Sequence, residues 1–404
     1  MRILFADALD ASRVERLSAA GHQCVVEPDL SPAALPGRIA GFEALVVRST
    51  RVDASTLEAA DRLEIVVRAG AGTNTIDTDA AADRGIFVCN VPGRNAIAVA
   101  ELTMGLIMAL DRNIPDNVAE LRAGRWDKRR FSDARGLFGR SLAIVGMGSI
   151  GMEVAARALA FGLRVATIDR PRPAETTDRL ADLGVDLVAD RASLLADADI
   201  VSLHVPLTDA TEGMVDAAFL AEMKDGAWLI NTSRGGLVVE SALLEALDRR
   251  GMRAGLDVYP DEPSAGAGEY RSALASHPSV YGTHHIGAST AQAQRSVADG
   301  TVEVLEAYAR GTMLNCVNLE VEHLGETVLA IRHYNRVGVL SSVLEVLKRA
   351  DLNVQDLHNR IFSGATAAVA TLAVDGTVPS DLLAELRDVP DVIQVTARPR
   401  KGTR

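Results

Sequence analysis

The sequence contains very little cysteine. Its 404 residues include three cysteines, Cys24, Cys89 and Cys316, which stand far apart and form no CxxC motif. This scarcity excludes a framework of disulfides and a cysteine-based zinc site. It fits a reducing compartment, so we expect a protein of the cytoplasm with no metal site.

The sequence also lacks an excess of positive charge and any long apolar run. Lysine and arginine number 42 against 54 aspartates and glutamates, which gives a formal net charge of −12. Nucleic-acid phosphates bind cationic surfaces, so a nucleic-acid partner is not expected. No apolar run approaches the roughly 18 residues of a membrane span. The run at 98–110 is interrupted by Glu101 and Thr103, and we expect it to be a buried helix rather than a membrane anchor.

Short apolar runs between helical stretches are what the sequence does contain. Hydrophobic residues make up 48% of the chain and charged residues 24%, as in globular proteins of two or three domains. The alternation predicts two lobes, each with a parallel α/β sheet, and ligands bind such sheets at the carboxyl ends of the strands. The predicted strands are 3–6, 23–26, 44–47, 65–69, 87–89, 142–145, 164–168, 200–203, 227–230 and 255–258, with helices at 11–20, 55–60, 150–160 and 241–250.

The end of the chain has a different order of elements. Strands are predicted at 328–333, 354–361, 367–374 and 392–396, and helices at 339–350 and 380–386. The order β-α-β-β-α-β is that of a ferredoxin-like unit, so we expect a third, small domain.

A glycine motif marks the second lobe. Gly146, Gly148 and Gly151 form a GxGxxG that directly follows one predicted strand and opens a helix. In that setting the glycines allow a tight turn, and the helix N-terminus attracts a pyrophosphate. Asp169 ends the next strand, where a carboxylate binds the ribose hydroxyls of NAD and repels the 2′-phosphate of NADP. The neighbouring Arg170 could tolerate that phosphate, and a glycine-rich turn without a nucleotide is the alternative.

Charged and titratable side chains follow other predicted strands. Arg234 has the planar fork that grips a carboxylate, unless it is simply solvated in a turn. His284 and His285 lie in the segment 283–290, and a histidine beside a carboxylate carries protons at neutral pH. Adjacent histidines of an extended chain point in different directions, and no third ligand follows at a recognisable spacing, which disfavours a metal site. The strands therefore predict an anion clamp, an orienting acid from segment 257–263 and a proton-carrying histidine.

Together these motifs resemble those of the D-isomer-specific 2-hydroxyacid dehydrogenase family. The similarity runs over nearly the whole chain and includes the stretches at 68–74, 91–103 and 204–208. It extends to the members that oxidise 3-phosphoglycerate and carry a C-terminal ACT domain. The resemblance implies a substrate-binding domain at 1–94 and 287–323, an NAD-binding Rossmann domain at 95–286 and an ACT domain at 326–404.

The resemblance also implies roles for individual residues. His285 would be the acid–base catalyst, Glu262 its carboxylate partner and Arg234 a catalytic arginine, while Asp257 would hold the nicotinamide carboxamide. The residues implied to bind NAD are Gly146, Gly148, Ser149, Ile150, Gly151, Asp169, His204, Val205, Pro206, Thr232, Ser233 and Asp257. Those implied to bind the substrate are Arg48, Arg68, Ala69, Gly70, Asn95, Lys128, Arg129 and Arg130.

The last three of these residues belong to a basic segment. Residues 122–140 hold seven basic and two acidic side chains in an otherwise acidic chain. In the family such a run reaches the cleft of the neighbouring subunit, where it would meet the substrate phosphate. The alternative is a solvated basic loop.

The chain departs from the family pattern in four places. His284 and Val337 each replace a proline, Val239 replaces an aspartate, and the loop 263–277 is longer than usual. None of these changes removes a residue of the catalytic set, but His284 removes a rigid restraint just before His285.

The resemblance implies NAD-dependent oxidation of D-3-phosphoglycerate to 3-phosphohydroxypyruvate, the first step of serine synthesis. Another member of the family, such as a hydroxypyruvate or glyoxylate reductase, stays open as an alternative. A dinucleotide-sensing protein without catalysis is a second alternative, against which the intact Arg234, Glu262 and His285 speak. A metal-dependent enzyme is a third, and insensitivity to EDTA would exclude it.

The terminal unit has the residues of an amino-acid site. The segment 333–340 resembles the ACT signature, in which Gly338 permits a tight turn before a helix. His333, Asn335, Gly338 and Asn353 are implied to bind L-serine as an effector. We expect such units to pair in a homodimer or homotetramer, and a unit that serves only dimerisation is the alternative.

Overall fold

The computed structural model describes residues 1–28, 30–263, 268–320 and 325–400. They form two compact units, Met1–Asn318 and Leu319–Arg404. Both units are α/β structures, as the sequence predicts. Among the described residues, no helix has the length and apolar character that a membrane crossing requires. Residues 264–267 of the long loop 263–277 lie outside the described residues.

Five short strands pair in parallel in the first part of the chain. They are β1 (Arg2–Phe5), β2 (Gln23–Val26), β3 (Ala44–Val47), β4 (Ile65–Arg68) and β5 (Phe87–Cys89), in the sheet order β2-β1-β3-β4-β5. Helices α1 (Ala11–Ala19), α2 (Ala54–Ala59) and α3 (Thr78–Asp83) lie between them in sequence. Every residue of β3 is buried, as expected of a strand that is covered on both faces.

A sheet of seven parallel strands follows. The elements are α4 (Ala96–Arg112), α5 (Ile114–Arg122), β6 (Ser141–Val145), α6 (Ser149–Ala160), β7 (Arg164–Ile168), α7 (Ala174–Leu183), β8 (Asp186–Val188), α8 (Arg191–Ala196), β9 (Ile200–Leu203), α9 (Ala217–Glu222), β10 (Trp228–Asn231), α10 (Glu240–Arg250), β11 (Arg253–Leu256), α11 (Ala273–Ser276) and β12 (Val280–Gly282). The strand order β12-β11-β10-β9-β6-β7-β8 changes direction between β6 and β9. Such a switch point is where doubly wound sheets bind nucleotides.

Two long helices connect the sheets. Helix α4 packs Ile107 into the core of the second sheet, which confirms the predicted buried helix at 98–110. Helix α12 (Ala291–Ala309) follows the second sheet, and its Val302 and Leu305 join the core of the first sheet. The chain thus passes between the lobes twice, and both crossings lie next to the strand ends.

The second unit is a four-stranded antiparallel sheet with two helices. Its elements are β13 (Thr327–Tyr334), α13 (Val339–Arg349), β14 (Val354–Ile361), β15 (Ala367–Val374), α14 (Ser380–Arg387) and β16 (Val392–Pro399). The sheet order β14-β15-β13-β16 follows from the predicted β-α-β-β-α-β arrangement. Its core contains Leu329, Val343, Leu372 and Leu386.

Three strands of the second sheet begin at other residues than predicted, and one of them, β6, begins one residue earlier, at Ser141. Strand β10 begins one residue later and β11 two residues earlier, so Asn231 belongs to β10 and Asp257 directly follows β11. Arg253 can begin β11 because its guanidinium donates to the Leu110 carbonyl (2.5 Å) and lies 5.1 Å from the ring centroid of Tyr281. Sequence patterns do not reveal α3, β8 and β12, since three to six residues show too little periodicity.

Candidate active site

The strand register aligns many of the predicted site residues along one edge of the second sheet. The last residues of five neighbouring strands pair in register: Val145, Leu203, Asn231, Leu256 and Gly282. Gly146, His204, Thr232 and Asp257 each follow one of these residues. They therefore lie side by side at the carboxyl edge, as the motif spacing predicts.

The glycine motif forms a turn between β6 and α6 that leaves room for a ligand. Gly146 has a φ of +102°, and a Cβ on it would lie 2.3 Å from the carbonyl oxygen of His204. A Cβ on Gly151 would lie 2.1 Å from the carbonyl oxygen of Gly146, so turn and helix are in close contact. Gly148 caps α6 and has nothing within 4 Å of a Cβ position. This open backbone, next to the free N–H groups at the start of α6, fits a dinucleotide pyrophosphate. The first two residues of α6 are the predicted Ser149 and Ile150.

His204 is a buried neutral histidine beside this turn. Its Nε2 lies 2.8 Å from Ser202 Oγ, and its Nδ1 is buried without a hydrogen-bond partner. Burial lowers the pKa of His204 to about 3, so the ring is uncharged at neutral pH. Val205 borders the turn, since a Cβ on Gly146 would lie 2.8 Å from its Cγ1, whereas Pro206 is exposed.

Thr232 and Ser233 direct their hydroxyls into the protein. Thr232 Oγ1 lies 2.9 Å from Thr103 Oγ1, which itself donates to the backbone of α4. The Ser233 hydroxyl donates to the carbonyl of Leu203 (2.7 Å). Both hydroxyls are therefore committed to buried hydrogen bonds that fix the end of β10 against α4 and β9.

Asp169 is exposed at the end of β7, on the predicted ribose side. Arg170 beside it is also exposed. A further arginine, Arg172, folds back and donates to the carbonyls of Ile168 and Arg170. Burial and the positive charge of Arg170 lower the pKa of Arg172. The charge around this strand end is thus mixed, with two arginines near one aspartate.

His285 and Glu262 form the histidine–carboxylate pair that the sequence predicts. His285 Nδ1 lies 2.6 Å from Glu262 Oε2, and Glu262 Oε1 accepts a hydrogen bond from the N–H of Tyr259 (2.8 Å). Burial favours the neutral acid, but the hydrogen bonds from His285 and Tyr259 outweigh it and lower the pKa of Glu262. The carboxylate is therefore charged at neutral pH and orients the ring, whose Nε2 is left for a substrate proton.

Asp257 holds the backbone of the segment that carries His285. Its Oδ1 accepts from Thr283 Oγ1 (2.6 Å) and from the N–H of Ile286 (2.8 Å), and its Oδ2 accepts from the N–H of Gly287 (2.8 Å). Asp257 is 1% exposed, so these bonds are shielded from water. The structure therefore gives this carboxylate a positioning role that the motif alone does not show.

Three guanidinium groups converge near this pair. The pKa of Arg68 falls to about 10, because it is buried and because Arg234 and Arg48 place positive charge beside it. Burial also lowers the pKa of Arg234, and the Nε of Arg68 is buried without a hydrogen-bond partner. Clustered like charges with an unused donor favour an anion, and a guanidinium fork suits a carboxylate or a phosphate.

The loop after β4 is shaped around these arginines. A Cβ on Gly70 would lie 1.5 Å from Arg68 Nη1, and a Cβ on Gly72 would lie 2.4 Å from Arg234 Nη2. The N–H groups of Ala69 and Gly70 donate to the carbonyls of residues 47 and 68, so they are not free for a substrate. Both residues nevertheless line the cavity described next, so the expectation that Ala69 and Gly70 bind the substrate stays a prediction.

One cavity of about 800 Å³ is lined by several of the residues described above. The predicted residues that line it are Arg48, Arg68, Ala69, Gly70, Asn95 and His285. Asp7 and Arg295 also line it, and sequence reasoning missed both. Asp7 Oδ2 accepts hydrogen bonds of 2.7, 3.1 and 3.0 Å from three successive N–H groups at residues 48–50. The sequence signals that could have pointed to them are the position of Asp7 at the end of the first strand and that of Arg295 ten residues after His285.

Other predicted residues do not reach this cavity. Lys128, Arg129 and Arg130 are exposed between α5 and β6 and do not line it, and Arg130 pairs with Glu120 at 3.2 Å. His284 is exposed and makes no hydrogen bond within the described part of the chain. No three His, Cys, Asp or Glu side chains of the described residues could jointly hold a metal ion.

In the second unit, one chain does not bring the predicted effector residues together. His333 is buried, and its Nδ1 and Nε2 lie 2.8 Å from the Tyr334 carbonyl and 3.2 Å from Asn359 Oδ1. Asn335 donates to the carbonyl of residue 365, and Gly338, with a φ of +94°, opens α13. Asn353 is exposed at the far end of β14, whose eight residues place it roughly 23 Å from His333 along the sheet. A ligand that contacts both would need Asn353 from a second copy.

Comparisons with known proteins agree with this geometry. A model of the D-isomer-specific 2-hydroxyacid dehydrogenase NAD-binding domain matches residues 104–287. The whole chain is 38% identical to the D-3-phosphoglycerate dehydrogenase of Methanocaldococcus jannaschii, of which it covers 78%. Over 75% of its length it is 41% identical to the hydroxypyruvate reductase of Thermotoga maritima, covering 96% of that protein.

Solved structures share the fold of this chain over a length close to that of its first unit. A glyoxylate reductase from Paecilomyes thermophila superposes with a TM-score of 0.69 at 28% identity, over 78% of this chain and 98% of that one. The chain therefore shares its fold with these proteins, and on that fold it carries the glycine turn, the His285–Glu262 pair and the cluster of arginines. The chain belongs to the D-isomer-specific 2-hydroxyacid dehydrogenase family and is an NAD-dependent oxidoreductase.

Proposed function

We propose that the chain oxidises D-3-phosphoglycerate to 3-phosphohydroxypyruvate, with NAD as hydride acceptor. The observation that carries this proposal is the convergence of Arg48, Arg68 and Arg234 beside the His285–Glu262 pair. The substrate has a carboxylate and a phosphate, and three guanidinium groups can neutralise both. An unphosphorylated acid would use only part of this charge. The similarity to a D-3-phosphoglycerate dehydrogenase over the whole chain supports the same substrate.

In this proposal the protein orients the substrate and moves one proton. Arg234 and the N–H groups of Ala71 and Gly72 bind the carboxylate and present C2 to the cofactor. Bound NAD supplies the acceptor for the C2 hydride. His285 Nε2 takes the hydroxyl proton, and the Glu262 carboxylate stabilises the imidazolium that forms. Arg48 and Arg68 bind the phosphate.

The proposal assigns the glycine turn and the end of β7 to the cofactor. The N–H groups at the start of α6 bind the pyrophosphate, and the open space at Gly148 lets it approach. Asp169 binds the ribose hydroxyls of NAD. We assign residues 1–94 and 287–323 to substrate binding and residues 95–286 to cofactor binding.

NADH formation with a panel of D-2-hydroxy acids tests the substrate. We expect kcat/KM for 3-phosphoglycerate to exceed that for D-glycerate by roughly tenfold to 150-fold, because one charge-assisted contact contributes about 1.5–3 kcal/mol. Arg48→Met should lower kcat/KM for 3-phosphoglycerate and leave that for D-glycerate nearly unchanged. Equal rates with the two acids would refute the phosphorylated substrate while leaving the dehydrogenase itself intact.

Reduction of hydroxypyruvate is the second candidate. It is favoured by the similarity to a hydroxypyruvate reductase that this chain covers almost completely. The same active-site residues would serve, with His285 donating a proton as hydride is delivered. A kcat/KM for hydroxypyruvate above that for 3-phosphohydroxypyruvate would select this candidate.

We also propose that the protein is a homodimer or homotetramer. Helix α5 and the segment after it expose apolar side chains: Leu121 is 56% exposed, Trp126 82% and Phe138 89%. A second copy that covers this surface would also bring residues 128–130 close to another chain. Light scattering tests the assembly, and Trp126→Glu with Phe138→Glu should shift it towards smaller species.

For the second unit we propose an ACT domain that senses L-serine between two copies. His333 and Asn335 lie at one end of the sheet and Asn353 at the other. Antiparallel pairing of two sheets by an edge strand could bring Asn353 of one copy near His333 of the next. Calorimetry with L-serine tests the site, and Asn353→Ala should weaken binding if the assignment holds.

A further inference from the structure

Two of the three cysteines meet in the folded chain although 227 residues separate them. Cys89, the last residue of β5, forms an isolated antiparallel bridge with Cys316, which lies after α12. The wide spacing of the cysteines in the sequence therefore does not predict how far apart they lie in the fold. The small number of cysteines excludes a framework of several disulfides, but it does not exclude this one pair of neighbouring thiols.

The register places the two thiols in a geometry that a disulfide can span. The N–H of Val317 donates to the Val88 carbonyl (2.8 Å), and the N–H of Asn90 donates to the Asn315 carbonyl (3.2 Å). This pattern makes the cysteines a non-hydrogen-bonded pair, with Cα atoms about 4.5 Å apart and side chains on the same face. Disulfides join Cα atoms about 4.4–6.8 Å apart. The side chain of Asn318 adds two hydrogen bonds of 2.8 Å to the backbone at β5, which hold the segment in place.

The two thiols differ in their access to solvent. Cys89 is fully buried, and its Sγ lies 3.5 Å from the Sδ of Met313. Burial, together with the facing thiol of Cys316, raises the pKa of Cys89 to about 12. Cys316 is partly exposed, and its Sγ lies 3.3 Å from Asn318 Oδ1. A small oxidant in solution can therefore reach Cys316 first.

We propose that Cys89 and Cys316 form a modification site at which a peroxide makes an intramolecular disulfide. The Cys316 thiolate attacks one peroxide oxygen, so an S–O bond forms and the O–O bond breaks. The departing hydroxide takes up the proton that the Cys316 thiol released and leaves as the first water. The Cys89 sulfur then attacks the Cys316 sulfenic acid, so the S–S bond forms and the second water carries away the Cys89 proton. Hydrogen peroxide is reduced by two electrons, and two thiols are oxidised to one disulfide.

The third cysteine cannot take part in this reaction. Cys24 lies on β2, at one edge of the five-stranded sheet, whereas Cys89 lies on β5 at the opposite edge. Four strand spacings separate them, roughly 19 Å. Cys24 therefore provides a matched control, since Cys24→Ser removes a thiol but leaves the pair intact.

The crosslink would tie the end of β5 to the last segment of the first unit. It would close a loop of 227 residues and so restrict the unfolded chain. We expect the oxidised protein to unfold at a higher temperature than the reduced protein, and dithiothreitol to reverse the shift.

The test uses the full chain and hydrogen peroxide as the probe. Remaining thiols are alkylated after oxidation, and peptides are mapped with and without reduction. We expect one linked peptide that contains Cys89 and Cys316 in the wild type and in Cys24→Ser, and none in Cys316→Ser. We also expect oxidation to raise the melting temperature of the wild type and of Cys24→Ser, but not that of Cys316→Ser.

Two outcomes would overturn the proposal, and a third would overturn only the expected stabilisation. One is a Cys316 sulfinic acid with Cys89 still reduced, because the thiols would then be unable to meet. Another is a disulfide between two chains, seen as a dimer on a non-reducing gel and absent from Cys316→Ser. The third is a mapped Cys89–Cys316 crosslink without a rise in melting temperature, which would refute its stabilising role. None of these results depends on the substrate of the enzyme.

Discussion

At the scale of single residues, the backbone of His285 is the most unusual feature of the site. It has a φ of +52°, in the left-handed region that non-glycine residues rarely occupy. Its N–H donates to the Asp257 carbonyl (2.8 Å), while the Asp257 carboxylate binds the residues on either side. These bonds hold the turn in place. A proline before the histidine would stiffen this turn, but His284 occupies that position here. The strained conformation thus directs His285 towards Glu262.

We expect His285→Ala to lower kcat by roughly 10²–10⁴-fold, the usual loss for a general base. The KM for NAD should change little, because the ring lies in the substrate cavity rather than at the glycine turn. Steady-state kinetics with varied NAD and varied hydroxy acid would separate these effects. His284→Ala is the matched control and should retain most activity, because its side chain is exposed and makes no hydrogen bond to the described residues. If His284→Ala were the more damaging change, the assignment of the catalytic histidine would be wrong.

Asp169 sets the expected preference for NAD. We expect Asp169→Ala to lower the ratio of kcat/KM for NAD over NADP by roughly tenfold to a hundredfold, about 1.4–2.8 kcal/mol. The reason is that the substitution removes a negative charge from the ribose side and leaves Arg170 and Arg172 in place. Kinetics with both cofactors measure the ratio. A wild-type protein that already prefers NADP would contradict the assignment and point to the arginines.

At the scale of elements, sequence patterns predict the strands and the glycine turn well, because each strand is a short apolar run that ends in a polar or glycine residue. Gly146 and Asp169 can be placed by this rule alone, whereas His285 follows β12, a strand that the pattern does not reveal, and is placed by the family resemblance. Asp7 also follows a predicted strand, but neither Asp7 nor Arg295 can be assigned to the cavity from the sequence, since they approach it only after β1 and α12 have packed in the first lobe. The committed hydroxyls of Thr232 and Ser233 are likewise invisible in a sequence, because their acceptors lie on other elements.

The junction between α4 and the second sheet contains a buried charged group. Arg140 is 4% exposed, and its guanidinium carbon lies 3.8 Å from the centroid of the Trp228 ring. Its Nη1 lies 3.8 Å from Asp111 Oδ1, at the end of α4. Two of its nitrogens have no hydrogen-bond partner, so the aromatic ring and the carboxylates of Asp199 and Asp111 carry most of the compensation for burial.

We expect Arg140→Met to destabilise the protein by about 3 kcal/mol, because it leaves the carboxylate of Asp111 buried without a countercharge. Chemical unfolding followed by tryptophan fluorescence would measure the loss. Asp111→Asn, added to Arg140→Met, should recover a large part of it, since the remaining buried group is then neutral. Equal stability of the single and double variants would show that the ion pair does not hold this junction.

At the scale of the whole molecule, the basic segment is predicted to act on a neighbouring chain. Residues 128–130 lie outside their own chain's cavity. We expect neutralising Lys128, Arg129 and Arg130 together to raise KM for 3-phosphoglycerate more than KM for D-glycerate. The difference should shrink at high salt, because screening already weakens such contacts. Equal effects on both substrates would show that the segment does not bind the phosphate.

The two units have separate cores. The core of the second unit contains residues between 329 and 397, and none of them belongs to the cores of the first unit. The residues of the proposed catalytic site all precede Asn318, where the first unit ends. Catalysis and any response to an amino acid are therefore expected to be separable by truncation.

Removing residues 326–404 should leave kcat with saturating substrate within about twofold and abolish any response to L-serine. Inhibition of the full chain requires that serine bind the less active arrangement more tightly, with a coupling of about 1–3 kcal/mol. That coupling corresponds to roughly a 5–150-fold change in apparent affinity, which a titration of activity against serine would detect. Asn353→Ala in the full chain should weaken the response without altering basal activity. If the full chain does not respond at millimolar serine and calorimetry detects no binding, the second unit serves association and not feedback.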